Sequence, residues 1–351
     1  MRVAVALVAV LALTGCTGQS ARQRLFDDAV ISGDAAVLGD AVAAFFVGPV
    51  VKGPTEHGYL VLVGPGGAFR TIRTAPMDSM RPAWSPHGLY FADEDNDYRL
   101  TASGLTVTAN PKTAAQNLMF ALPGGGAVGV FNNAGDQIST PDGRLYQVSG
   151  THFTGADCDG RIYGIGGDAY RETLTAIYPA EREIAQRPAT ATEPIGQVPC
   201  VDGVVTYLSW AGVVSWNTTT GDHQVRPLTV DDGTRLDEQD FGYAVQDWKD
   251  GRLHWVYADG RVFATDPATG RTTPLFDTGL GTGFGRERHT LYAFTGTALH
   301  TISTLRDAPG NLGYTVFDRA DGRKLREAEI AIPNTAVNVG DLGLTYMAAR
   351  D

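Results

Sequence analysis

Few residues in this 351-residue chain combine type and spacing in a way that could do chemistry. Three are cysteines: Cys16, Cys158 and Cys200. Each can be a core thiol, half of a disulfide or a point of attachment. The stretch "DEDND" sets carboxylates at Asp93, Asp95 and Asp97, the alternation that opens many calcium loops. Tyr98 stands where such a loop needs a flexible glycine, and Gly104 where it needs a bidentate glutamate. The stretch therefore reads as a solvated hairpin tip, and the three aspartates are only weak metal candidates. "DDGTRLDEQD", from Asp231, reads as an exposed acidic loop. Of the histidines, His57, His87 and His289 fall at turns, while His254 and His300 fall in strand-like runs, and none has metal-ligand spacing. There is no G-x-S-x-G elbow and no phosphate loop. "GPGGAF" from Gly64 and "PGGGAVG" from Pro123 lack a following helix and read as turns. No catalytic, cofactor-binding or metal residue is assigned. Carboxylates brought together from distant segments stay open as a glycoside-cleaving pair.

The elements that would position such groups follow from composition and pattern. A 43% hydrophobic content can bury a large core, and 43 glycines, well above ordinary usage, point to many tight turns. A net charge of −11 argues against nucleic-acid binding, which needs a basic face.

The chain opens with Arg2 and the eleven-residue apolar run "VAVALVAVLAL". A membrane-spanning helix needs about 20 such residues; this run has the length of a signal-peptide apolar region. Thr14, Gly15 and Cys16 follow. Residues 1–16 resemble the bacterial lipoprotein signal, in which an aliphatic and two small residues precede a cysteine. The resemblance implies cleavage after Gly15 and a diacylglycerol-type lipid on Cys16, which holds the mature protein at the extracytoplasmic face of the membrane. An ordinary secreted protein is the alternative. The expected organisation is a signal peptide over 1–15, a lipid anchor and tether over 16–38, and one domain over 39–351.

That domain is expected to be repetitive and all-β. Segments such as "VDGVVTYLSWAGVVSWNTTTGDHQVRPL" from Val201 and "KDGRLHWVYADGRVFATDPATGRTTPLF" from Lys249 share one order of turns and alternating strands. Comparable turns fall near Asp40, Arg81, Ala121, Asp159, Asp202, Asp250 and His289, a spacing of roughly 40 to 50 residues, as four-stranded propeller blades require. About seven blades fit, with six or eight as alternatives and a tandem β-sandwich as the competing fold. The last strand, "GDLGLTYMAAR" from Gly340, is placed to complete a blade begun near the N-terminus. "AEREIAQR", from Ala180, is the one stretch read as a helical turn.

"VFATDPATGRTTPLF" (Val262–Phe276), and less closely "VSWNTTTGDHQVRPL" and "TVFDRADGRKLRE", resemble the repeat of quinoprotein-type (PQQ-like) β-propellers. An Asp or Asn caps the turn, and Gly270, Gly221 and Gly322 take positive φ. The family's inter-blade Trp is missing, with Pro274 or Leu275, Arg226 or Pro227, and Leu325 in its place. The adjacent cysteine pair of quinone-dependent dehydrogenases is missing too, so the resemblance implies the fold and no quinone cofactor. Cys158 and Cys200 precede matching strands of consecutive repeats, where a disulfide can form outside the membrane, two buried thiols being the alternative.

Function is read at a coarser grain. The favoured expectation is a binding or scaffolding lipoprotein that docks an envelope protein or a small ligand on a propeller face. The alternative is an envelope enzyme, a glycan- or lactone-directed hydrolase or lyase or a quinoprotein, with its site at the central channel. A third reading is a small-molecule or metal sensor. A fold of this kind serves many functions.

Overall fold

The structure, a computed structural model, describes residues 23–49, 57–77, 79–112, 115–132, 135–167, 171–188, 196–209, 211–236, 245–281, 288–305, 309–337 and 342–351. Cys16 and the signal and anchor region before residue 23 lie outside the described residues.

Alternating apolar and polar runs between Asp-Gly and Thr-Gly turns form a seven-bladed β-propeller of four-stranded antiparallel blades. Blades 2 to 7 have inner strands Ala83–Ser85, Gln116–Ala121, His152–Cys158, Cys200–Val201, Gln246–Lys249 and Arg288–Phe294. Blade 1 closes the ring. Its inner strand is the C-terminal Leu342–Ala349, paired from Ala43↔Ala349 to Pro49↔Leu342, and its other three strands come from the N-terminal part. The Arg350 backbone and guanidinium extend this closure to the carbonyls of Val42 and Ala41.

Local sequence explains the hairpins. The turns Asp159-Gly160, Asp202-Gly203 and Asp250-Gly251 have positive φ at both positions, the twist that joins an inner strand to its neighbour in two residues. On the third-to-outer turns, Asp266 Oδ1 accepts the Ala268 N–H and Asn217 Oδ1 accepts the Thr219 N–H, each at 2.9 Å. Gly270 and Gly221 there have φ of 76°, as the turn chemistry demands. Because strands alternate in direction, both kinds of tight turn share one face of the ring. The connections leading into the inner strands share the other.

The core lies between blades. One cluster joins Phe45, Tyr59 and Val61 of blade 1 to Ile302, Tyr314 and Ile330 of blade 7, and five others seal the remaining contacts. Strand Gly58–Val63 is buried along its whole length because neighbours cover both its faces. The outer strand Gly104–Ala109 is largely exposed.

Two readings change. Residues 180–187, expected as a helical turn, belong from Arg182 onward to the outer strand of blade 4, Arg182–Pro188, paired from Arg171↔Pro188 to Ala176↔Arg182. Its polar composition reflects an outer edge facing water, not a helix. His289, expected at a turn, lies in the inner strand of blade 7. Before residue 39, Phe26 is fully buried in the blade 7–blade 1 core, and its carbonyl accepts from Thr71 Oγ1 at 2.7 Å.

Candidate functional site

Cys158 and Cys200 form a disulfide with their Cα atoms 5.3 Å apart, joining the end of the blade 4 inner strand to the start of the blade 5 inner strand. A buried polar network spans the same two blades. Arg187 pairs with Glu172, and Tyr207 donates to Glu172 Oε2 at 3.4 Å while accepting from Trp216 Nε1 at 3.2 Å and Arg187 Nη2 at 3.3 Å. Burial pushes the Glu172 carboxyl up, against the pull of Arg187.

The acidic stretch is a hairpin whose carboxylates are engaged by protein donors. Asp93 is fully buried and accepts from the backbone N–H of Ala75 (2.7 Å), Asp95 (2.9 Å) and Asn96 (2.7 Å), and from the Tyr98 hydroxyl (2.5 Å). Asp97 pairs with the buried Lys112 ammonium at 2.8 Å and accepts from Ser139 Oγ at 2.6 Å, tying blade 2 to blade 3. The backbone N–H of Asp95 is held by Asp93. The solvated tip expected here is thus a partly buried brace: the carboxylates at its two ends face donors from Ala75 and from Lys112 and Ser139. Among the described residues, no group of three or more His, Cys, Asp or Glu side chains is arranged to hold a metal ion.

On the face where the inner strands begin, polar side chains tie neighbouring blades together. Gln116 Oε1 accepts the Arg81 N–H at 2.6 Å, and Gln246 Oε1 accepts the Leu208 N–H at 2.8 Å. Asp136 Oδ2 accepts the His152 N–H at 2.7 Å and lies 2.9 Å from His152 Nδ1. Toward the tight-turn face, between blades 6 and 7, Arg319 donates to Asp247 Oδ2 at 2.5 Å and approaches His254 Nδ1 at 3.5 Å. Burial, reinforced by Arg319, lowers the His254 pKa to about 4.

The axis itself is narrowed from inside. Strand Gly196–Gln197 pairs in parallel with Thr154–Gly155 on the inner edge of blade 4, giving that sheet a fifth strand. Gln197 Nε2 donates to the Met119 carbonyl of blade 3. Arg81, just ahead of the blade 2 inner strand, meets this strand: a Cβ built on Gly196 would lie 3.3 Å from Arg81 Nη1. From blade 1, the Tyr346 ring lies under the Arg81 guanidinium, its centroid 3.4 Å from Cζ. Tyr346 sits at the register shift between Phe45 and Phe46 with φ of 30°, a bulge that re-aims its side chain at some backbone cost.

Arg81 differs from its peers. Among the described residues the buried cations are Arg81, Lys112, Arg187 and Arg319. Lys112 pairs with Asp97, Arg187 with Glu172 and Arg319 with Asp247. Arg81 is 8% exposed, and its Nε and Nη2 have no hydrogen-bond partner. Burial lowers its pKa to about 10, with Tyr346 acting the other way, so the group stays charged at neutral pH. The sequence marked Arg81 only as a turn position. Nothing in its local residue types distinguishes it, because the setting is assembled from blades 1, 2 and 4.

No family model matches this sequence, and no curated protein matches it. Among solved structures, the chain is similar to BamB from Moraxella catarrhalis at 15% identity, over 70% of this chain and 71% of that one, with a TM-score of 0.43. It is similar to the computationally designed Ika8 protein at 14% identity, over 85% and 89%, with a TM-score of 0.46. It is also similar to apo AztD from Citrobacter koseri at 10% identity, over 88% and 98%, with a TM-score of 0.42.

Proposed function

We propose that this protein is a non-catalytic binding module, held by a diacylglycerol-type lipid on Cys16 at the extracytoplasmic face of a bacterial membrane, that presents a propeller face to an envelope protein or a small ligand. One observation carries the binding half of this reading. The buried ionisable groups described above are taken up in pairs, Glu172–Arg187 within blade 4, Lys112–Asp97 beside blade 2, and His152–Asp136 and Arg319–Asp247 from one blade to the next. Groups spent in this way are not poised as an acid and a base around a reacting atom. What lacks a partner near the axis is a cation, a recognition group. The membrane half is supported by residues 1–16, with their short apolar run and small residues before Cys16. No helix among the described residues is long and apolar enough to cross a membrane.

The test is cross-linking of the membrane-tethered protein in its own envelope, followed by recovery, alongside assay of the purified chain on glycans and lactones. A specific partner or ligand without turnover is expected. Substrate-dependent turnover with nothing recovered would overturn the reading in favour of an envelope enzyme.

A further inference from the structure

We propose that the Arg81 guanidinium is the recognition group of a binding site for one small oxyanion, of carboxylate or phosphate class, near the propeller axis. The inference rests on the binding-module reading and names a ligand class for it.

The argument starts from cost. An ion removed from water without a counter-ion carries a penalty of several kcal/mol, and proteins normally offset it by pairing. The three other buried cations here follow that rule, each against a carboxylate. Arg81 is also buried, at 8% exposure, yet its described neighbours are Tyr346 and Gly196 and no carboxylate. The ring face offsets part of the charge. It satisfies neither of the unpartnered N–H groups.

The identity of those groups sets the ligand chemistry. Nε and Nη2 are both without partners. They lie on the same edge of the guanidinium plane, where their N–H bonds run parallel. That edge matches two oxygens of a carboxylate or phosphate in a bidentate pair. A further donor is unmatched close by. Gln116 holds the Arg81 backbone N–H through Oε1, and its own Nε2 is buried without a partner. Unmet N–H donors on a buried guanidinium call for an anion rather than a cation.

The surroundings set size and rigidity. Nε and Nη2 are themselves closed off from solvent, a setting that suits a small ion and not a folded partner. The guanidinium lies between the Tyr346 ring and the Gly196–Gln197 strand, and Gln116 fixes the Arg81 backbone. Such preorganisation lowers the entropy cost of binding.

The test is thermal denaturation and calorimetric titration of the purified full chain with sodium phosphate and, separately, sodium acetate, at ionic strength held constant with sodium chloride. A saturable rise in Tm and a stoichiometry of one with either anion is expected, and which anion acts assigns the class. Arg81→Gln should weaken that binding by about tenfold or more. Gln116→Glu, which brings a carboxylate against Arg81, should weaken it in the same direction and serves if the first variant fails to fold. Absence of saturable binding of both anions by the wild-type chain overturns the proposal, as does an undiminished response in Arg81→Gln. Neither result bears on envelope cross-linking, and turnover of a glycan or lactone would sink the binding-module reading while leaving the anion titration intact.

Discussion

His254 and His300 are both buried bases kept neutral by the fold. Burial and Arg319 lower His254 to about 4, and burial, with Arg326 adding to it and Asp351 opposing, lowers His300 to about 4. The sign follows directly. An imidazole in the unfolded chain takes its proton near pH 6.5, while the folded one resists until about pH 4. Between those values the unfolded state binds more protons, so stability falls as pH falls. Each histidine can contribute up to about 3 kcal/mol to that decline. Urea midpoints measured from pH 7 to pH 4 should drop, and His300→Gln should flatten the drop; a pH-independent midpoint above pH 4.5 would contradict the assignment. Asp97 offers a second test at this scale. Asp97→Asn strands the fully buried Lys112 ammonium and should cost about 3 kcal/mol in denaturant titration, with the partner at 24% exposure keeping the loss at the low end for a buried pair.

Blades 4 and 5 are joined by a covalent and a polar link at different depths. The disulfide ties their inner strands across a sequence separation of 42, and the Glu172–Arg187–Tyr207–Trp216 network ties strands farther out. Replacing both cysteines with serine should lower stability by about 4 kcal/mol on the chain-entropy argument, read as a shift in guanidinium midpoint. The network should then hold the two blades in register, so amide exchange should rise locally while the circular dichroism of the sheets persists. Elements of this kind were legible in the sequence wherever the signal is local. Asp202-Gly203 and Asp250-Gly251 announce a turn because few other residue pairs accept positive φ twice in succession. The matching positions of Cys158 and Cys200 in consecutive repeats carried the pairing. Residues 182–188 misled because an outer strand exposed to water has no apolar face to alternate. Arg81 and Tyr346 were not legible as a site, since they meet only once the ring has closed and 265 residues of chain separate them (346 − 81).

At the scale of the whole molecule, stability depends on closure. Every blade buries its faces against two neighbours, so an open ring exposes two apolar faces at once. Deleting residues 342–351 removes the inner strand of blade 1 together with the Arg350 contacts to Val42 and Ala41. The truncated chain should lose its cooperative unfolding transition in calorimetry and bind a hydrophobic dye, an effect larger than that of any single substitution above. Attachment belongs to the same scale and is independent of closure. Cys16→Ser should move the protein from the membrane fraction to the soluble fraction with Tm unchanged; an unchanged membrane fraction would refute lipidation. A count of about seven blades, with six and eight still open, could be read from turn spacing because the repeat is long-range order written in local punctuation.

The C-terminal strand of blade 1 also sets a schedule. Strand Ala43–Pro49 waits for a neighbour, Leu342–Ala349, that is made about 300 residues later. The ring therefore cannot lock until that strand has emerged, whether from the ribosome or from a translocation pore. Long-range pairings of this kind are slow to form. Were the chain exported in an extended state, as the proposed anchor requires, the delay would serve it: its native fold would be withheld until residues 342–351 had crossed.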